Sequence, residues 1–190
     1  MDQLINKIKN YIFLSDKETE LIKTLFHECS FKKNESILEQ GKTCKFLYYV
    51  NRGLLRHYIN YNGKEISIHF NEENNFASDY QSFITQSFSN ETIIALENTD
   101  LFSINYNDLQ TLYTEIQYGE RLGRFLLEEF YGQSMQRIIS VYTDSAEQRY
   151  LKFITQYKQL QQRIPQIYIA SFIGVTPQSL SRIRKRLVKK

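Results

Sequence analysis

The sequence predicts an α+β chain in three parts: an N-terminal double-stranded β-helix (jelly-roll) barrel, one long helix, and a C-terminal helix-turn-helix. Three observations predict it. Between residues 31 and 104, short apolar runs alternate with turn residues such as Gly41, Asn51-Arg52-Gly53, Asn62-Gly63 and Asn98-Thr99-Asp100. From 115 to 142 a helical apolar period runs on without a proline. The last stretch, IPQIYIASFIGVTPQSLSRIRKRLVKK, is punctuated as two short helices around a glycine. The boundaries follow: 1–114 for the barrel with its flanking helices, 115–142 for the long helix, and 143–190 for the C-terminal domain.

Composition bounds the rest. With 42% apolar residues among 190, the chain can bury a sizeable core, and fourteen Tyr and thirteen Phe with no Trp make it aromatic. No apolar run approaches the ~20 residues of a membrane span, and no basic-then-apolar signal opens the sequence, so the expected location is the cytoplasm. Cys29 and Cys44 form no CxxC pair and read as free thiols.

At the N-terminus, Leu4, Ile5 and Ile8 mark a short amphipathic helix over 2–9. Ser15 with Glu18 three residues on forms a capping box, opening a second helix with Leu21, Ile22, Leu25 and Phe26 on its apolar face. Strands are predicted at 36–39, 46–51, 54–60, 65–70, 92–97 and 101–104. Asn62-Gly63 is a strong hairpin signal, because a type I′ turn needs positive φ at both central residues.

Asn107-Asp108 reads as the cap of a short helix with Leu109, Leu112 and Tyr113. The long helix then carries two stripes, Leu122, Leu126, Phe130, Ser134, Ile138 and Leu127, Tyr131, Met135, Ile139. So broad an apolar surface asks for two packing partners, the barrel on one side and a second copy on the other. Gly119 and Gly123 would let backbones approach at its start. Ser145 caps a further helix, with Glu147 in its first turn and Tyr150, Leu151, Phe153, Ile154 and Tyr157 as its apolar side. Asp144 is the expected hinge before it.

In the closing pair, Pro165 suits a first helical position and Gly174 a left-handed stop. Thr176 caps the second helix and Pro177 opens it. Leu180, Ile183 and Leu187 recur on one face, opposite Gln178, Ser181, Arg182, Lys185, Arg186 and Lys189. A solvated amphipathic pair is the plainer reading of such a basic face. Charge argues for DNA instead: residues 148–190 carry ten Lys and Arg and no Asp or Glu, leaving 14 basic against 21 acidic residues before them. A basic end on an acidic body suits a module that sits on phosphates.

The run Ile164, Pro165, Gln166, Ile169, Ala170, Gly174, Thr176, Ser181, Arg182 closely resembles the C-terminal helix-turn-helix of the Crp/Fnr family of bacterial transcription regulators. The pattern of Gly41, FLYYVNRG ending at Gly53, and NGKE after it resembles, more weakly, the cyclic-nucleotide-binding barrel of that family. The resemblance implies a homodimer joined through the long helix, with Leu122, Leu126, Phe130 and Ile138 at the interface. It implies DNA contacts from Thr176, Pro177, Gln178, Ser181, Arg182, Lys185, Arg186 and Lys189. The partners implied are double-stranded DNA with a palindromic operator, RNA polymerase and a small-molecule effector; from the residues themselves no membrane, cofactor, metal or catalysis is expected. Two cysteines fall short of the four thiolates of a [4Fe–4S] centre, which sets aside the oxygen-sensing branch.

The nucleotide-binding stretch departs from that family. Members that hold cyclic AMP use a Gly-Glu pair and a later Arg-Ser/Thr-Ala, the Arg pairing the cyclic phosphate. Here Ser78-Asp79 replaces Gly-Glu, and Ser89, Asn90 and Glu91 stand at the second element. Between Lys64 and Arg121 there is no Lys or Arg, and His69 is the one histidine. A phosphate is expected to face Asp79 and Glu91 unpaired, so the barrel is expected to have lost cyclic-nucleotide binding. The alternative is a non-standard clamp supplied by Arg121 or Arg124. A cupin-like metalloenzyme barrel with a DNA-binding tail is a further alternative, but His27, His57 and His69 offer no HxH pair and no nucleophile–base set stands out.

Overall fold

The computed structural model describes residues 1–188. Two helices lead, α1 (Asp2–Lys9) and α2 (Asp16–Leu25). The Ser15–Glu18 capping box is formed from both ends, with the Ser15 amide donating to Glu18 at 2.9 Å and the Glu18 amide to Ser15 Oγ at 3.3 Å. Eight strands follow: β1 (His27–Phe31), β2 (Ser36–Leu38), β3 (Phe46–Arg52), β4 (Leu55–Tyr61), β5 (Lys64–Asn71), β6 (Phe76–Ala77), β7 (Thr92–Ala95) and β8 (Thr99–Asn105). A short helix, α3 (Tyr80–Thr85), interrupts them. The strands make two four-stranded sheets, ordered β1-β8-β3-β6 and β2-β7-β4-β5. Where pairing is resolved it is antiparallel, with His27 opposite Ser103 and Tyr48 opposite both Ser103 and Ala77. The core between the sheets takes Leu38, Tyr49, Leu55, Ile93, Leu101 and Ile104, all buried.

Strand β1, strand β6 and helix α3 lie where no element was predicted. Helix α4 (Tyr106–Glu115) is capped by Asn105, whose Oδ1 accepts from the Asp108 amide at 3.0 Å, two residues before the expected cap. The long helix, in contrast, starts later than expected. α4 ends at Glu115, and α5 runs Gly119–Thr143. Gly119 lies so close to α4 that a Cβ there would overlap the Leu112 carbonyl oxygen. The backbone approach expected of this glycine is made within the chain, to α4.

The chain divides into two compact units. The first holds residues 1–57 and 70–131, the barrel with its flanking helices. The second joins residues 58–69, the outer part of the β4–β5 hairpin, to the chain from Gly132 on. Its helices are the end of α5, α6 (Ala146–Gln156), α7 (Gln166–Phe172) and α8 (Pro177–Val188). Its core is aromatic: Phe153, Tyr157 and Phe172 meet pairwise with ring centroids 5.0 to 5.8 Å apart. Such pairs add about 0.5–1.5 kcal/mol each beyond the area they bury.

Candidate effector pocket and nucleic-acid interface

The stretch from Ser78 to Glu91 was expected to line a ligand pocket. Most of its polar side chains are engaged with the chain itself. Ser78 Oγ donates to the Phe46 carbonyl at 3.2 Å and lies 3.3 Å from Cys44 Sγ. Asp79 is the N-cap of α3, its carboxylate accepting from the Ser82 amide at 3.1 Å. Ser89 is 2% exposed; its Oγ donates to the Glu91 carbonyl at 2.8 Å and accepts from the Glu91 amide at 3.0 Å. Its backbone is held too, the amide donating to Lys42 and the carbonyl accepting from Gly41, both at 2.8 Å. Asn90 is exposed.

Glu91 corrects the expected electrostatics. Its Oε1 lies 2.9 Å from His57 Nδ1, with both side chains nearly buried. A ligand would therefore not meet Glu91 as a lone carboxylate, and one oxygen of Asp79 is engaged as a cap. The cation-free interval from Lys64 to Arg121 does not leave the barrel without buried basic side chains either. Arg56, 1% exposed, and His57, 3% exposed, lie on β4, before Lys64 in the chain. Leu55, Arg56 and His57 are all buried in succession, so the two-residue alternation that flags an inward face gives no signal here.

Arg121 and Arg124, the other expected clamp residues, both hold their guanidinium groups within 5.2 Å of the Phe125 ring centroid. Arg124 also pairs with Glu128 at 2.7 Å on the exposed side of α5. An open cleft of about 480 Å³ is lined by Tyr80, Tyr113, Glu120, Gly123, Arg124, Leu127, Glu128 and Tyr131. Of the seven expected effector residues, only Arg124 reaches it. Burial pushes the Tyr113 hydroxyl up to about 12, and a Cβ at Gly123 would lie 2.9 Å from that ring. The glycine thus makes room for Tyr113 against α5. Among the described residues no group of three His, Cys, Asp or Glu side chains could hold a metal ion, and no helix is long and apolar enough to cross a membrane. Cys29 and Cys44 are free, and burial raises both thiols.

The C-terminal unit is arranged differently. Pro165 stands at the N-cap position of α7, one residue before its expected place. Ile169 and Ala170 pack inward, and Gly174 stops the helix at φ +71°, with the Val175 amide returning to the Ala170 carbonyl at 2.9 Å. Thr176 Oγ1 accepts from the Ser179 amide at 3.2 Å and opens α8. Leu180 and Ile183 are buried, and Thr176, Pro177, Gln178, Ser181, Arg182, Lys185 and Arg186 are exposed. Arg186 also lies 3.7 Å from Glu147. Lys189 lies outside the described residues. Arg149, one of the ten basic residues, is structural: it donates to the Ile173 carbonyl at 2.8 Å and the Asp144 carbonyl at 2.7 Å. Asp144, the expected hinge, is pinned further by Lys152 at 2.6 Å and by Ser140, and these bonds hold its carboxyl below the ordinary range.

Of the expected interface residues on α5, Leu122 is 3% exposed and belongs to the chain's own core, and Leu126 packs partly against it. Those two have little surface to give a partner. Phe130 and Ile138 are exposed, and beside them so are Leu127, Tyr131, Ile139, Val141 and Tyr142.

Comparison with known proteins places the fold. Residues 28–115 match the family model of the cyclic nucleotide-binding domain. FixK2 from Bradyrhizobium japonicum superposes with a TM-score of 0.73 at 15% identity, covering 86% of this chain and 85% of that one. A CooA variant from Carboxydothermus hydrogenoformans gives 0.73 at 18%, covering 96% and 83%. The c-di-GMP responsive global regulator CLP of Xanthomonas campestris gives 0.70 at 15%, covering 92% of each. No curated protein matches the sequence. The fold of this chain is shared with these proteins over most of each chain.

Proposed function

We propose that the chain is a DNA-binding transcription regulator of the Crp/Fnr type, a homodimer through α5, whose barrel answers to an effector other than cyclic AMP. The observation that carries this is the outer face of α8. Gln178, Ser181, Arg182 and Lys185 stand exposed opposite buried Leu180 and Ile183, in a segment with ten basic and no acidic residues. A helix held this way can lie in the major groove, and Arg182 near its start can pair a guanine O6 and N7. A dimer would present two such helices about one helical turn, roughly 34 Å, apart. The exposed Phe130, Ile138 and Ile139 support a partner on α5, and Ile138→Glu should turn a sedimenting dimer into monomer.

The test uses a palindromic duplex selected from a random-sequence pool. Arg182→Ala should cost about 1–3 kcal/mol and relax preference at one base pair per half-site. Lys185→Ala should weaken matched and mismatched duplexes alike and lower the salt slope by about one for each phosphate no longer neutralised. Equal losses from both changes on every duplex would remove the assignment of Arg182 to base reading.

For the effector, Ser89 stands where the resemblance expects a phosphate-pairing Arg, and its hydroxyl is already occupied at Glu91. A ligand at a hundredfold excess over its Kd stabilises the folded state by about 2.7 kcal/mol, roughly 5–10 °C in Tm for a chain this size. Millimolar cyclic AMP or cyclic GMP should give no such rise. The competing reading, a cyclic-nucleotide sensor with its cation drawn from elsewhere, is favoured by buried Arg56 and by the family match over 28–115. A clear nucleotide-dependent rise, lost in Arg56→Gln, would decide for it.

A further inference from the structure

Strand β5 is the last in its sheet, ordered β2-β7-β4-β5. An edge strand leaves a row of backbone N–H and C=O groups without a neighbouring strand. Over Glu65 and Ser67, helices α7 and α5 fill that row with side chains. The Ser67 amide donates to Ser171 Oγ at 2.9 Å, and Ser171 Oγ in turn donates to the Glu65 carbonyl at 2.9 Å. Arg137 Nη2 donates to the Ser67 carbonyl at 3.1 Å. Its guanidinium lies 3.8 Å from the centroid of the Phe172 ring, the residue after Ser171. One serine hydroxyl and one stacked arginine thereby take the place of a fifth strand. Residue spacing makes this possible, because alternate residues of a strand turn their backbone groups to the same edge.

The clasp is built rather than incidental. Ser67 is fully buried, and burial of the Arg137 guanidinium lowers it to about 10, the mark of a charge taken out of water for a specific contact. A planar guanidinium suits the role, since it can stack on an aromatic face while donating in its own plane. Ser171 and Phe172 close α7, and Gly174 and Thr176 lead directly into α8, whose outer face the clasp leaves exposed. We infer that the β4–β5 hairpin is a latch: it grips the end of α7 through Ser171 and Arg137 and so holds α8 in its groove-reading geometry before DNA arrives.

Hydrogen exchange on the full chain reads the latch directly. The Ser67 amide should be protected in the wild type. Ser171→Ala should speed its exchange at least about tenfold, because it removes the acceptor of a buried donor, and Ser171→Thr should restore protection. Arg137→Lys keeps the charge and loses the planar stack; it should loosen Ser67 by a smaller factor, and it covers the case in which Ser171→Ala does not fold. Together the two changes should be less than additive, since they open one edge. On the selected duplex, Ser171→Ala should bind roughly five- to tenfold more weakly with an unchanged salt slope, as expected when pre-ordering is impaired and the phosphate contacts stay in place. This last arm rests on the DNA-binding reading, and the exchange arm does not. Ser67 exchange that is indifferent to both variants overturns the latch. Faster exchange with unaltered duplex binding overturns its role in ordering α8. A wild type that selects no duplex overturns the DNA-binding reading, and with it that role, and leaves the latch to the exchange arm.

Discussion

The stretch from Ser78 to Glu91 and the outer face of α8 were both expected to meet a ligand, and their side chains are deployed in opposite ways. In the first, four of the five expected ligand-facing residues are engaged inside the chain: Ser78 with Phe46, Asp79 with the Ser82 amide, Ser89 with Glu91, and Glu91 with His57. In the second, the hydroxyl that opens the helix is engaged, and Gln178, Ser181, Arg182 and Lys185 are exposed to solvent. Groups satisfied at home lose those bonds when they turn to a ligand, whereas exposed groups lose only hydration. That difference separates a loop that has become structure from a face kept for a partner.

Substitutions can break this contrast. Ser89→Arg should have the largest effect, a destabilisation of about 2–3 kcal/mol, because an arginine cannot occupy a nearly sealed site whose hydroxyl bonds hold the turn. Chemical denaturation measures it, and thermal scans with cyclic AMP should show no binding gained in exchange. A variant of wild-type stability that binds nucleotide would mean the loop is a dormant pocket. On α8, Gln178→Ala and Lys185→Ala should each change stability by less than about 0.5 kcal/mol, the norm for solvated surface positions. A larger loss would show that this face packs on something.

The smallest effect sharpens the contrast at its exception, a carboxylate of the C-terminal unit that is engaged. Lys152 and Ser140 lower the Asp144 carboxyl. Its contribution is fully present above the ordinary aspartate value of about 3.9 and is lost as pH falls through the lower folded value. Wild type and Asp144→Asn should therefore differ in Tm at neutral pH and converge as pH falls through that lowered folded value. A gap that stays constant on acidification would mean that the carboxylate's charge contributes nothing there.

How much of the fold is legible in the sequence depends on how local the determining physics is. Ser15, Ser145, Gly174 and Thr176 announce themselves because a cap or a left-handed stop is decided within three or four residues. Strand β1 does not. His27–Phe31 alternates only weakly, and its strand character comes from pairing with β8, with His27 opposite Ser103. The break between α4 and α5 carries no proline; it is set by the close approach of Gly119 to Leu112. Arg56 and His57 read as polar residues in an apolar strand, and nothing nearby in sequence announces that Glu91 will meet one of them. The α5 stripe reads as a single surface, although Leu122 and Phe130 turn to different surroundings, one to the core and one to solvent.

The second compact unit is discontinuous, and that orders events during synthesis. Residues 58–69 emerge early, yet Ser171, which takes up the edge of β5, is made more than a hundred residues later. Strand β1 likewise waits for β8. Closing loops this long is slow compared with forming helices, so on the nascent chain the β5 edge lacks its Ser171 bonds until α7 has been made. Truncation before α7 would remove both Ser171 bonds and the Phe172 face on which Arg137 stacks, and such fragments should aggregate through strand addition more readily than the full chain.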